Sequence, residues 1–553
     1  MAMYDEIVPV PTENIHKSKR QGCAYVYYIK GREYSPVRKC NIYDKVMIGR
    51  LIDDETMHPN DNYYEIFGRP EDRLEEADPN QSDSQKIGGV AVVYALLESL
   101  GLREKLELVF GEKTANLIID LAVYFCLSGS TVMQYYPTWA YEHPILSESA
   151  VSDSTISRFL KHHVSDEDIY SFFKQWNADR DTQETLYVNG DSTNMNTEAV
   201  GVELAEMGYA KDDKTKPQVN FALASTQKDN MPLFYDLYSG SYNDMSEFHY
   251  MIRMASEFGY KNLGFILDRG YFTKEILDQI DAEKYQVIIM LKDNNLCVKE
   301  MIQEHGAELK ESFTEYIPEH NAYGMTKRAK LFKSSRNTYS VHLYYSDQKA
   351  EIERNHLVTI LQKYQKELDH GIEMGNLKVE EAKRYARYFD IELSKKDNET
   401  VVGYSQNKKN IKLAYAECGF FAIATSEDLS AEEALKIYRD RDAVEKLFES
   451  MKSGMDCSKF RVYSDESLKT KAFLVFVATI LRSQIYQGLK RVRGTDKKNF
   501  TVPAALHELE KVIAIRQTDG DFVRTRKLTA IQKKILSGFD ITDKDLTKLV
   551  KEI

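Results

Sequence analysis

Apolar residues recur along this chain with two different periods. Between residues 86 and 180 they return every three to four positions, which predicts helices. Ser152 is placed to cap a helix carrying Ile156, Phe159 and Leu160, with Arg158 and Lys161 on its outer side. Ser165 with Asp168 marks a second start, an acidic form of the capping box. From residue 185 the pattern changes to short apolar runs: Leu186-Tyr-Val, Val219–Ala224, Leu233–Tyr238, Leu263–Leu267 and Tyr285–Leu291. Helical patterns over 246–258 and 273–283 separate the later runs. Three strands, then helix, strand, helix, strand predict a mixed α/β sheet. Residues 300–415 break this rhythm with charged, β-leaning and helical pieces and read as an insertion. The strand Phe420–Thr425 and a helix from Ser430 then resume the domain. Near the start, residues 20–52 alternate in places (Tyr25-Val-Tyr-Tyr-Ile) around a turn at Gly31-Arg32, as a small β-rich module does.

Charge sharpens these boundaries. The 553-residue chain has a formal net charge of -12, which taken alone argues against a nucleic-acid partner. The average hides segregation. His16 to Arg50 carries nine Lys/Arg against two acids, Leu51 to Gln85 eleven acids against two Arg, and Arg482 to Lys527 eleven Lys/Arg against five acids. The expected organisation is a basic β-rich module (1–52), an acidic linker of little order (53–85), a helical domain and candidate binder of DNA ends (86–180), an α/β core in two parts (181–299 and 416–490) split by the insertion (300–415), and a basic helical C-terminal region (491–553). The six cysteines form no Cys-x-x-Cys pair, so neither a zinc site nor a disulfide framework is expected, and a reducing cytoplasm fits. Residues 1–20 lack an apolar signal segment, and the most apolar stretch, Ala472–Leu481, is too short to span a bilayer, so no membrane association is expected.

Three acids carry the candidate chemistry. Asp191 and Asp268 each follow an apolar run that reads as a buried strand, and Glu445 lies on the helix predicted over 431–453, which Gly454 stops. A site made only of carboxylates suits hard divalent cations and phosphodiester chemistry. On one regular helix Tyr438, Arg441, Glu445 and Lys452 share an arc of about 60°. Ile437, Val444, Phe448 and Met451 form a separate apolar stripe. The row from Tyr438 to Lys452 is about 21 Å long, enough to follow several phosphates of a DNA strand. The plain alternative is a solvated face with ion pairs at i,i+4, the spacing of Arg441 and Glu445.

These residues resemble the DDE transposases of bacterial insertion sequences, in the branch marked by Tyr-x2-Arg-x3-Glu-x6-Lys. Tyr438, Arg441, Glu445 and Lys452 match that spacing; Asp191 in Gly-Asp-Ser-Thr and Asp268 in Asp-Arg-Gly-Tyr-Phe resemble the two catalytic aspartates. The 177 residues from Asp268 to Glu445 resemble members with a β-rich insertion before the Glu helix. The resemblance covers about 185–490 with specific motifs. It implies an RNase H-like (retroviral-integrase-like) catalytic core and cut-and-paste movement of the encoding element. It also implies two Mg²⁺ ions per site, with Mn²⁺ a substitute, held by Asp191, Asp268 and Glu445. The implied partners are the inverted-repeat ends of the element and target DNA, engaged by a homodimer in the bacterial cytoplasm at the nucleoid. Cleavage in relatives passes through a DNA hairpin in which a Trp of the insertion holds a flipped base. Here Trp139 and Trp176 both precede the core, and Phe332, Tyr339 and Tyr344 are the aromatic substitutes.

In that reading Arg441 and Lys452 grip phosphates near the cleaved end and the Tyr438 hydroxyl donates to another. Arg269 and Tyr271, flanking the second Asp, either touch DNA or brace the sheet end. Asn194, Asn196 and Asp244 are expected to fix loops. Lys327, Arg328, Lys330, Lys333 and Arg336 form a basic run that contacts DNA or is a solvated face. His162 and His163 are expected at the surface, and Cys457 in packing. Two other functions stay open: a metal-dependent nuclease or resolvase that cuts without joining, and a non-catalytic DNA-binding protein derived from a transposase.

Overall fold

The computed structural model describes the chain except residues 1–2, 21, 70–79, 181–185, 209–214, 227–228, 242–243, 261, 440–441, 497, 499, 518–519 and 553, and except the side chains of 186–192, 244–249 and 442–444. It divides into two compact units, Met1–Pro79 and Asn80–Ile553.

In the first unit, five antiparallel strands lie in the order Val8–Pro9, Thr56–Pro59, Cys40–Leu51, Cys23–Ser35, Ile15–Arg20. The helix Asp61–Phe67, capped by Asn60, closes a core of Val26, Ile48, Met57, Tyr63 and Tyr64. The β-rich module is as expected, but the linker is not. The acidic stretch beginning at 53 supplies the module's last strand and its helix. Its apolar residues Met57, Tyr63 and Tyr64 bury together while Asp53, Asp54, Glu55, Asp61 and Glu65 stay outside, a pattern hidden by the high acid content; residues 70–79 of the expected linker lie outside the described residues. Farther on, Ser84–Lys86 is a strand of the second unit, paired with Ile513–Arg516.

The second unit is built on a nine-stranded mixed sheet. Its order is Tyr316–Ile317, Ala322–Ala329, Tyr339–Tyr345, Phe420–Thr425, Gln286–Met290, Leu263–Leu267, Leu186–Asn196, Gln218–Thr226, Pro232–Ser239. Leu186–Asn196, Leu263–Leu267 and Gln286–Met290 run parallel; the other pairings are antiparallel. Both faces of the central strands are buried, and alternate residues enter two cores. Phe265, Leu267, Val287, Ile289, Ala422 and Ala424 join the main core, whereas Ile266, Ile288 and Ile423 join a smaller one. This follows the two-residue alternation of a strand.

The insertion is narrower than expected and more helical. Residues up to Tyr345 are part of the main sheet, because Tyr339–Tyr345 lies directly between Ala322–Ala329 and Phe420–Thr425. Its polar members misled the sequence pattern. His342 is wholly buried, yet both its ring nitrogens are satisfied, Nδ1 by Thr326 Oγ1 (2.8 Å) and Nε2 by Thr425 Oγ1 (3.0 Å). The excursion proper is the 27-residue helix Asp347–Glu373, the hairpin Phe389–Leu393/Val401–Gln406 and the helix Lys408–Glu417, with its own core around Leu368, Tyr385 and Phe389.

The helices predicted between 86 and 180 are present, and both expected caps form: Ser152 accepts from Thr155 N, and Ser165 and Asp168 complete a capping box. They pack around the helix Asp465–Val492, which touches Gly88–Ser99, Glu112–Ser128 and Asp153–His162. The apolar stretch Ala472–Leu481 therefore belongs to a 28-residue helix. Among the described residues this helix alone is by itself long and apolar enough to cross a membrane, and 83% of its apolar window is buried inside the protein.

Candidate active site

The two aspartates converge through the parallel register. Leu263, Gly264, Phe265 and Ile266 pair with Leu186, Tyr187, Val188 and Asn189. Continuing that register by two residues brings Asp268 level with Asp191. Neighbouring strands lie about 4.8 Å apart, so the two backbone positions are adjacent. Asp191 falls within the strand Leu186–Asn196, and its side chain is outside the described set.

Asp268 is the residue at which its strand ends. Its Oδ1 accepts the Arg269 N–H at 2.5 Å and its carbonyl accepts the Tyr271 N–H at 3.0 Å, so it caps the single turn Arg269–Tyr271. The five residues before it are all buried, whereas Asp268 is half-buried. A buried strand thus delivers a carboxylate to its rim. The flanking residues divide. Arg269 is exposed and its guanidinium lies 3.5 Å from Asp293, whereas Tyr271 is buried. Phe272, also buried, stacks on Phe332 with ring centroids 5.0 Å apart.

Glu445 arrives from the other direction. The helix Asp442–Lys452 packs on the strand that contains Asp191 and on the helix Asp465–Val492. Leu447, Phe448 and Met451 anchor it in the main core, leaving Glu445 exposed and Lys452 half-buried. Its position is fixed from behind by Arg482, whose Nε donates to Ser450 Oγ (3.0 Å) and whose Nη1 donates to the Cys126 carbonyl (2.7 Å). The helix ends at Lys452, near the predicted stop, and the glycine at 454 has a steric cause. A Cβ there would stand 2.5 Å from the Ser450 carbonyl and 2.7 Å from Arg482 Nη2.

The four-residue row on one helix is not what is described. Helix is described over Ala431–Arg439 and Asp442–Lys452; residues 440–441, Arg441 among them, lie outside the described residues. Tyr438 is buried in the smaller core with Ile266, Ile288 and Leu435, while Phe448 and Met451 enter the main one. The wheel assumed one apolar stripe; the sheet instead has two buried faces, with Leu435 and Tyr438 on one and Leu447, Phe448 and Met451 on the other.

Other expectations can be placed. Tyr339 and Tyr344 are buried, their hydroxyls bound to Asp281 (2.6 Å) and to the Ala431 carbonyl (2.7 Å), so of the three aromatic substitutes only Phe332 is partly accessible. Lys327 and Arg328 pair with Glu304 (2.7 Å) and Asp428 (2.9 Å) on the outer part of the sheet, while Lys330, Lys333 and Arg336 are exposed. Asn196 is buried and reaches the Lys216 and Pro217 carbonyls at 3.5 Å, a loop-fixing contact; Asn194 is also buried, and the side chain of Asp244 is outside the described set. His162 and His163 are exposed. Cys457 is buried against Met195, and burial pushes its thiol up to about 11. Asp293 was missed. It follows the apolar run Gln286–Leu291 much as Asp268 follows its own, and that repetition was the available signal.

Among the described residues, which do not include the side chain of Asp191, no three His, Cys, Asp or Glu side chains form a metal-holding cluster. What the fold defines is a mixed α/β protein in which Asp268 follows one parallel strand, Asp191 lies within the neighbouring one, and a third acid stands on a helix packed against the latter. A family model described as the transposase DDE domain matches residues 190–481, which span Asp191, Asp268 and the whole segment from Tyr438 to Lys452. The chain belongs to this family. Among solved structures it is similar to a piggyBac transposase in a synaptic complex with hairpin DNA, determined by cryo-EM. The two are 9% identical, the match covers 83% of this chain and 73% of that one, and the TM-score is 0.31. No curated protein sequence matches the chain.

Proposed function

We propose that the protein is an active DDE transposase of the insertion-sequence branch, which binds the ends of its element, cleaves them and joins the 3′-hydroxyl ends to target DNA. The observation that supports this most is the shared register of Asp191 and Asp268, with the Glu445 helix packed on the same strand. The sheet agrees with an RNase H-like core: three antiparallel strands lead into two parallel ones, in the spatial order three-two-one-four-five.

Asp191, Asp268 and Glu445 would hold divalent cations. The donors fit, being oxygen only, and Asp268 and Glu445 are both accessible at the protein surface. Two such ions would activate the attacking oxygen and stabilise the leaving one. Around them the protein's own groups position the strand. Lys452, on the Glu445 helix, and Arg441 neutralise phosphates beside the scissile bond. Arg269, exposed next to Asp268, offers a further cation whose present partner, Asp293, is itself solvent-accessible and exchangeable. Tyr438 and Tyr271 act differently from expectation in this scheme: both are buried and hold the sheet rim that presents Asp268. The attacking oxygen is first water and then the freed 3′-hydroxyl, with no covalent enzyme intermediate. Two protomers pair the two ends.

The test uses pre-cleaved element ends bearing 3′-hydroxyls, a supercoiled plasmid and Mg²⁺. Joined products are expected. Nicking without joining would replace the proposal by a nuclease, and neither activity would leave a DNA-binding protein.

A further inference from the structure

Apart from the acidic site, a pocket lined by three cations and no acid lies among the described residues. It lies on the excursion, between the helices Asp347–Glu373 and Lys408–Glu417, and has a volume of about 410 Å³. Arg354, Gln406, Lys408, Lys412 and Tyr415 line it. The Arg354 guanidinium lies over the Tyr415 ring, 5.0 Å from its centroid, and its buried Nε has no hydrogen-bond partner. Lys310 adds a fourth cation behind the pocket, donating to the Ala416 carbonyl at 3.4 Å. Its ammonium is held below the usual lysine range, first by burial and then by the charge of Arg354.

The composition is as one-sided as the geometry. Residues 401–416 contain three lysines and no acid, in a chain whose formal net charge is -12. Lys408, Lys412 and Tyr415 lie at i, i+4 and i+7 and so share a face. Lys408 and Lys409 also open their helix, the end at which its dipole disfavours cations. Like charges gathered in this way repel one another until an anion arrives. A planar guanidinium on an exposed tyrosine ring, flanked by two exposed ammonium groups, matches the spaced phosphates of a nucleic-acid backbone.

We infer that this pocket on the excursion is a second, non-catalytic DNA contact that grips the phosphate backbone away from the carboxylate site. The inference rests on the proposed function for its partner, DNA. It reads no base sequence, and its contribution is electrostatic and sensitive to salt.

The test measures binding of the full-length protein to a fluorescein-labelled DNA duplex over a series of salt concentrations. Lys408 and Lys412 are exposed, so K408Q/K412Q retains the fold, which circular dichroism checks. Each lost phosphate contact lowers the slope of log K against log salt by about 0.9, so the double variant should lose about 1.8. K408R/K412R should keep the slope, and K363Q/K366Q, on the same excursion but outside the pocket, should leave it unchanged. An unchanged slope in K408Q/K412Q, or an equal loss in K363Q/K366Q, overturns the inference. If K452Q still lowers the slope in that case, the proposed function stands. If the unmodified protein shows no salt-dependent binding at all, the proposed function fails first.

Discussion

Glu445 and Tyr438 are seven positions apart in the sequence, yet one is exposed and the other is buried among Ile266, Ile288 and Leu435. Their substitutions should therefore separate stability from activity. Tyr438→Ala removes a buried ring and is expected to destabilise by about 3–5 kcal/mol. Glu445→Gln, at the surface, should stay within about 0.5 kcal/mol of the parent while abolishing catalysis. Urea denaturation of both variants checks this, and comparable losses in the two would contradict the burial of Tyr438. His342 is a second residue with a measurable signature. Burial lowers its pKa to about 4, whereas an unfolded His titrates near 6.5. The folded state thus holds the ring neutral. Its contribution is complete above pH 6.5 and is lost as pH falls from there toward 4, at about 1.4 kcal/mol per pH unit. Denaturation curves across that window should show the acid slope, and His342→Gln should reduce it; identical slopes would remove His342 as its source.

Elements were legible in the sequence where one physical rule governed them. Ser152 and Ser165 announced their helices because an N-cap is local, needing only the next three residues. The Asp191 strand runs on to Asn196 through the polar Ser192, Thr193 and Asn194, but the end of the Asp268 strand was legible because a fully buried strand leaves a plain apolar run. Tyr339–Tyr345 was not, since its buried Ser340 and His342 look like surface residues until Thr326, Thr425 and Asp428 are brought beside them from distant parts of the chain. The division of Tyr438 and Phe448 between two cores was hidden for a similar reason, because an apolar stripe cannot reveal that two faces of a sheet are waiting for it. The sheet's outer strand Pro232–Ser239 shows the same dependence on tertiary partners. An uncovered edge would expose its ladder groups. Here the helix Asp166–Asn177 covers it: Trp176 Nε1 donates to the Pro232 carbonyl (2.8 Å), and Asn177 Nδ2 donates to that of Leu233 (3.0 Å) while its Oδ1 accepts from the Tyr260 hydroxyl (2.5 Å). Asn177→Ala strands these buried groups and should cost about 2–4 kcal/mol. A denaturation midpoint equal to that of the parent would show that the edge is held by other contacts.

For the whole molecule, the division at Pro79 has an experimental consequence. Each unit has a core of its own, Val26, Ile48, Met57, Tyr63 and Tyr64 in the first and the large sheet-and-helix core in the second. Residues 80–553 alone should therefore unfold cooperatively at the temperature of the corresponding transition in the full chain. A broad, non-cooperative melt would mean that the first unit is needed for the fold of the second. The central claim concerns that larger unit, in which carboxylates from two strands and a helix, widely separated in sequence, act on one phosphodiester bond. The most direct measurement is Mg²⁺-dependent cleavage of duplex DNA carrying the sequences on either side of the gene, by the unmodified protein and by Asp191→Asn, Asp268→Asn and Glu445→Gln, with DNA binding measured in parallel. Cleavage by the unmodified protein alone, with binding retained by all four, is the expected result. Undiminished cleavage by any of the three variants would contradict the account.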